Sequence, residues 1–346
     1  MRPIRTLAAL VAAGVLAAAA ASAMDALPKS PPVPGDNPMT PAKINLGRKL
    51  FFEPRISSSG TVSCNTCHNV MEAGEDDRSV SVGVGGRQGT RSAPTVWNAA
   101  FLTVQFWDGR SPTLEEQAKG PMVNPVEMGM LDHTSVVKRI SMIPGYQEEF
   151  KAVFGGDDPI TIDNVARAIA TYERTLITPN SPFDRWKAGD KTAMSAEALR
   201  GMKKIESLGC TSCHSGPVFA GPAGPVGEGF YQKFPTIEGT VYEKQYRLAG
   251  DTGRHSVTNA EADRHMWRVP QWRNIAITAP YFHNGAVATL DEALKVMAKT
   301  QLGIDVEQKD VDDMVAFMEG LTGEFPKQEM PRLPVMPMKS VLEDTQ

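Results

Sequence analysis

The stretch Ser63-Cys64-Asn65-Thr66-Cys67-His68 places two thiols three positions apart and follows them directly with an imidazole. This is the pattern for attaching a c-type haem: the thiols take the two vinyl groups and the histidine reaches the iron. It returns as Cys210-Thr211-Ser212-Cys213-His214, 146 residues after the first copy, and the two copies use all four cysteines. No thiol is left for a disulfide. A zinc site would want four ligands in two close pairs, and a thioredoxin-type redox pair would want a βαβ setting without the following histidine. Neither condition is met. Two haem c groups are therefore expected, bound through Cys64, Cys67, Cys210 and Cys213, with His68 and His214 as iron ligands.

At the N-terminus Arg2 and Arg5 precede an alanine-rich apolar run from Leu7 to Ala20 that ends in Ala21-Ser22-Ala23. Residues 1–23 read as a signal peptide with an A-x-A cleavage site, so the mature chain is expected to begin at Met24. The run is short for a membrane span and a polar, proline-rich segment follows it, so no span is expected after cleavage. Haems of this type are attached after export, which makes the periplasm the expected location. Without Arg2 and Arg5 the chain carries 34 basic against 40 acidic residues, a net charge of −6. Nucleic acid is excluded as a partner on that balance. The remaining 323 residues suit two domains of ordinary size, and one haem motif in each half suggests an internal duplication. The expected division is an N-terminal haem domain over 24–178, a C-terminal haem domain over 179–330, and a tail over 331–346 that packs back on the first.

From residue 24 to 39 the chain is rich in proline and polar residues and reads as a flexible arm. A helix capped by Thr40 is expected to carry Ile44, Leu46, Leu50 and Phe51 toward the first haem, and Ser195 to Leu208 reads as its counterpart before the second. Between the first motif and Asn98 the glycine-rich run Gly83-Val84-Gly85-Gly86-Arg87-Gln88-Gly89 does not match a phosphate-cradling G-x-G-x-x-G and reads as a mobile loop over the haem face. Three helical segments follow between Thr134 and Leu176, broken at Pro144-Gly145 and Gly155-Gly156. The chain closes with a helix from Thr289, boxed by Glu292, and another with Val311, Met314, Val315, Met318 and Leu321 in one stripe. Strand signals are few, so the fold class is mainly α: two cytochrome c-like domains.

Several ordered motifs carry a resemblance that covers nearly the whole mature chain. They include Leu46-Gly47-Arg48-Lys49-Leu50-Phe51-Phe52, Ser92-Ala93-Pro94-Thr95, Gln105-Phe106-Trp107-Asp108-Gly109-Arg110, Gln117-Ala118-Lys119-Gly120-Pro121 and Val126-Glu127-Met128. Ser181-Pro182-Phe183-Asp184-Arg185-Trp186, Ala279-Pro280-Tyr281-Phe282-His283-Asn284-Gly285 and Leu321-Thr322-Gly323-Glu324-Phe325-Pro326 complete them. With these the chain resembles the bacterial di-haem cytochrome c peroxidases.

The resemblance implies a peroxide site at the N-terminal haem and electron entry at the C-terminal one, fed by a small cytochrome c or a cupredoxin. It implies Met297 as the second axial ligand of the C-terminal iron; without it, a methionine on the helical face of Leu290 and Leu294 reads as core. Glu127 matches the family's distal acid/base, Gln117 and Pro121 the residues that shape its pocket, and Trp107 the indole between the haems. Thr278 and Pro280 match positions whose backbone carbonyls hold a calcium ion, although Ser92 stands where the family has an asparagine. His133, His255 and His265 read as surface residues, and His283 as one that orients the haem pocket by hydrogen bonding. The family often dimerises, so a homodimer is expected. Many members close the peroxidatic iron at rest with a second histidine; Val84 occupies that position here, and no histidine occurs between His68 and His133.

Two functions of other classes share these features. A maturation oxidase of the kind that builds a protein-derived quinone oxidises a partner protein, but the resemblance gives that enzyme a tyrosine where this chain has Met297. A plain di-haem electron carrier would have no need of Glu127, Gln117 or an open iron. The favoured reading is a peroxidase that reduces hydrogen peroxide to water.

Overall fold

The computed structural model describes residues 24–336 and 340–342; the expected signal peptide lies outside the described residues. In the first half the helices are α1 (Pro41–Phe51), the short α2 (Cys64–Cys67), α3 (Leu114–Val123), α4 (His133–Ser141), α5 (Pro144–Phe154) and α6 (Ile162–Glu173). The second half carries α7 (Pro182–Lys187), α8 (Ala196–Ser207), α9 (Val241–Gln245), α10 (His255–Thr258), α11 (Leu290–Met297) and α12 (Gln308–Glu319). A two-stranded antiparallel sheet, β1 (Tyr231–Lys233) and β2 (Met266–Arg268), pairs Tyr231 with Arg268. The fold is mainly α.

Helix starts follow local chemistry. Thr40 Oγ1 accepts from Lys43 N at 3.2 Å, Thr161 Oγ1 from Asn164 N at 3.1 Å, and Ser195 Oγ from Ala198 N at 3.1 Å. Each satisfies a backbone donor that the first turn leaves unpaired. The start of α11 differs from expectation, since Thr289 makes no side-chain cap bond. Glu292 accepts from Tyr246 Oη at 2.9 Å, so the segment around α9 draws it away from the box.

One arrangement recurs in both halves. The helix before each haem motif crosses a later helix of its own half, α1 against α6 and α8 against α12. At each crossing a glycine faces backbone. A Cβ on Gly47 would fall well inside contact with the Ala168 carbonyl, and one on Gly201 would do the same to the Asp313 carbonyl. The apolar residues form separate clusters around these pairs, with Leu46, Leu50, Phe51, Ile169 and Tyr172 in the first and Phe183, Met202, Ile205, Met314 and Phe317 in the second.

Two segments depart from their sequence reading. The arm after Met24 is fixed rather than flexible: Met24 is buried in the second cluster, Leu27 N donates to Asp184 Oδ1 at 2.9 Å, and Arg273 Nη2 donates to Asp25 O at 2.9 Å. Arg273 in turn pairs with Asp184 at 2.9 Å, a buried ion pair that the arm's own backbone helps to satisfy. The glycine-rich loop is likewise pinned. Val84 N donates to Glu127 O at 2.8 Å and Arg87 Nη1 to Pro125 O at 3.1 Å, so the loop lies against the segment that carries Glu127. Beyond residue 330, Arg55 Nη2 donates to Pro334 O at 2.9 Å and Val341 is buried in the first cluster.

Candidate haem and peroxide site

A cavity of about 330 Å³ opens between the two halves, and a second of about 120 Å³ adjoins it on the side of the second motif. Cys64, Cys67 and His68 line the larger one, together with Gln117, Pro121 and Glu127. Cys210 and Cys213 line the smaller. His214, Trp107 and Met297 line both. Thr278, Pro280 and Ser92 are on the larger cavity.

These residues fit haem on their own chemistry. All four thiols are free and border the cavities. Burial pushes the Cys210 thiol up to about 11 and that of Cys64 higher still, with Glu173 adding to the latter, so neither is a thiolate at neutral pH. His214 Nδ1 lies 3.0 Å from Phe219 O, which leaves Nε2 as the basic nitrogen for iron, and the ring stacks on Trp272 at 4.1 Å. Burial pushes the His214 imidazole down to about 4, with the Phe219 and Pro270 backbone opposing, so it is neutral as a ligand must be. His68 is pushed down by burial as well, opposed by the backbone of Pro94 and Gly74, and its Nδ1 is enclosed without a hydrogen-bonding partner. Met297 ends α11 and a single π turn, Ala298–Leu302, follows it.

Glu127 sits in the turn after α3. Its backbone N–H donates to Asn124 O at 3.0 Å and its Oε1 accepts from Asn124 Nδ2 at 2.6 Å. Burial raises its carboxyl above the ordinary glutamate range, against the pull of Arg110 and of the Asn124 bond. A positioned carboxyl whose proton affinity is raised by burial is equipped to take up a proton and give it back. Trp107 donates from Nε1 to Ser92 O at 2.9 Å, which fixes the indole at the junction of the cavities.

The description di-haem cytochrome c peroxidase belongs to a family whose model matches residues 41–192. Over 316 residues the chain is 42% identical to the cytochrome c551 peroxidase of Nitrosomonas europaea, covering 91% of this chain and 90% of that protein. The chain belongs to the di-haem cytochrome c peroxidase family. It is also 34% identical over 320 residues to the methylamine utilization protein MauG of Methylorubrum extorquens, covering 89% and 86%. A solved structure of a MauG-like protein associated with microbial copper homeostasis aligns with a TM-score of 0.75 at 29% identity, over 86% of this chain and 95% of that one.

For a member of this family the structure adds residues that motif reading missed. Glu173 lines the larger cavity, is buried, and has no partner for Oε2. Glu75, also on that cavity, leaves Oε1 unpartnered and is pushed up to about 7 by burial first and then by Asp77. His283, which the sequence did single out as orienting the pocket by hydrogen bonding, is buried and stacks on Trp267 at 4.2 Å instead, with Nε2 lacking a partner among the described residues on the smaller cavity. Glu173 had a legible signal, since it continues the spacing of Val165 and Ile169 and puts a carboxyl on the apolar stripe of α6. Glu75 had none.

Burial pushes Glu173 up to about 8, with Glu115 adding and Arg174 opposing. An unfolded glutamate titrates near ~4.3, so between there and about pH 8 the folded chain holds one proton more than the unfolded one. Stability contributed at this site is therefore greatest below the unfolded value and falls as pH rises. Glu173→Gln should remove that slope and stabilise the protein at pH 8 by on the order of 4 kcal/mol, with little change at pH 4. Denaturant midpoints at the two pH values measure it, and equal midpoints for parent and variant at pH 8 would contradict the placement.

Proposed function

We propose that this chain is a periplasmic cytochrome c peroxidase that reduces hydrogen peroxide to water with electrons from a small cytochrome c or cupredoxin. In this reading His214 and Met297 would hold the C-terminal haem, the one that would receive electrons, and His68 would hold the N-terminal haem, the one that would meet peroxide. The observation that supports this best is the meeting of Glu127 and Gln117 with Cys64, Cys67 and His68 on one cavity.

Cys64 and Cys67 would hold the first haem as thioethers with His68 on its iron, and Cys210, Cys213, His214 and Met297 would hold the second. Bound haem supplies an iron that takes peroxide oxygen and a one-electron store that a His/Met ligand pair poises at high potential. Proton transfer falls to Glu127, whose Oε1 is held by Asn124 and whose Oε2 makes no hydrogen bond among the described residues. Oε2 takes a proton from one peroxide oxygen and returns it to the other as the O–O bond parts. Gln117 and Pro121 shape that space, and Trp107 offers an indole between the two compartments. Calcium belongs to the same reading: the Thr278 and Pro280 carbonyls are hard oxygen donors, and Ser92, on the same cavity, offers a hydroxyl where the family has an asparagine.

Val84 supports an open first haem. Its side chain is buried in the first apolar cluster, close over Gly129, and its N–H is spent on Glu127 O. Met71, at 46% exposure, faces solvent instead of the cavity. The fully ferric enzyme should therefore show a high-spin first haem by electron paramagnetic resonance. It should also turn over peroxide with a reduced small cytochrome and no lag. Two low-spin haems and a lag abolished by pre-reduction would overturn this and point to a capping group such as Met128, which also lines the cavity. Absence of steady-state turnover with any small donor would favour the maturation oxidase or carrier instead.

A further inference from the structure

Arg268 is 5% exposed, the last residue of β2, and lines both cavities. Its backbone N–H donates to Trp107 O at 2.9 Å, and Trp107 also borders both cavities. Of the five N–H donors of a guanidinium, Nε donates to Phe106 O at 3.0 Å and Nη1 to Val269 O at 3.2 Å. Both acceptors are neutral, and no carboxylate lies within ion-pair distance of Arg268 among the described residues.

That is unusual beside the other enclosed arginines. Arg273 pairs with Asp184 at 2.9 Å, Arg174 with Glu115 at 2.8 Å, and Arg91 with Asp108 and Asp251. Arg139 also lacks a carboxylate, but it lines neither cavity and donates to the Ser57 and Arg55 carbonyls. Asp108, the acid that acts on Arg268 from a distance, is already engaged by Arg91 and Arg110. Enclosure pushes the Arg268 guanidinium down to about 10, with Tyr231 and Asp108 opposing. A buried, uncompensated charge is costly to keep unless an anion arrives to meet it.

We infer that Arg268 is the receptor for a carboxylate brought to the junction of the two cavities by bound haem, and that its charge sets the potential of the haem it holds. A planar guanidinium with unspent donors matches a carboxylate through two parallel hydrogen bonds. The inference rests on the haem assignment above. Tying down the carboxylate with a cation favours the reduced iron, because the ferrous centre carries one positive charge fewer beside it.

The test is a redox titration of Arg268→Gln after its haem content is counted by pyridine haemochrome. With both haems bound, the reduction equilibrium of at least one should shift tenfold or more toward the ferric form, which is about 59 mV for a one-electron couple. Arg268→Lys keeps the charge without the planar fork. It should load both haems, and its carboxylate bands in redox-difference infrared spectra should move from those of the parent. Unchanged potentials in the glutamine variant overturn the inference, as do unchanged carboxylate bands in the lysine variant if the glutamine variant fails to load. A parent protein with fewer than two haems would defeat the haem assignment instead, a separate failure.

Discussion

Glu127→Gln is expected to lower kcat for peroxide by ~10²–10⁴-fold, the usual contribution of a positioned acid/base, with KM nearly unchanged. The substitution is close to isosteric, and the Asn124 amide that bonds Oε1 at 2.6 Å can donate equally to a glutamine oxygen. The change therefore removes a proton carrier and leaves the pocket's shape. The pH profile sharpens the test. Oε2 must be deprotonated to accept the first proton, and burial raises this carboxyl, so the parent's rate should fall as pH drops through a value above the ordinary glutamate range. In the variant that limb should vanish. Turnover within threefold of the parent, with the limb intact, would place the proton transfer on another group; Glu173, on the same cavity, would be next in line.

Local chemistry made much of this fold legible in advance. A threonine or serine ahead of an amphipathic run marks a helix start because its oxygen takes an otherwise unpaired backbone N–H, and Thr40, Thr161 and Ser195 all do so. Contacts between distant segments were not legible. Nothing in residues 24 to 39 announces that Asp184 and Arg273 will capture their backbone, and nothing in a run of glycines announces that Val84 and Arg87 will bond to the Glu127 segment. The candidate site divides the same way. Cysteine and histidine spacing points directly to haem chemistry, whereas Arg268 owes its interest to a three-residue strand that sets it at the meeting of two cavities.

Gly201→Ala and Gly47→Ala should each destabilise the protein by ~3 kcal/mol or more, the upper range for overpacking. On helix propensity alone the sign would be opposite, because alanine replaces glycine in a helix interior with a gain of ~1 kcal/mol. The crossings decide the matter. The new methyl of Gly201→Ala would meet the Asp313 carbonyl and that of Gly47→Ala the Ala168 carbonyl, and backbone cannot swing aside as a side chain can. To admit the methyl, α8 must move off α12, or α1 off α6. That shift reaches the haem motifs directly, since Cys210 and Cys64 follow these helices at the cavity walls. Denaturant unfolding monitored in the far ultraviolet measures stability, and the proportion of chains carrying both haems reports the displacement. A stabilising effect of the alanines would show that the two helix pairs stand farther apart than their glycines allow.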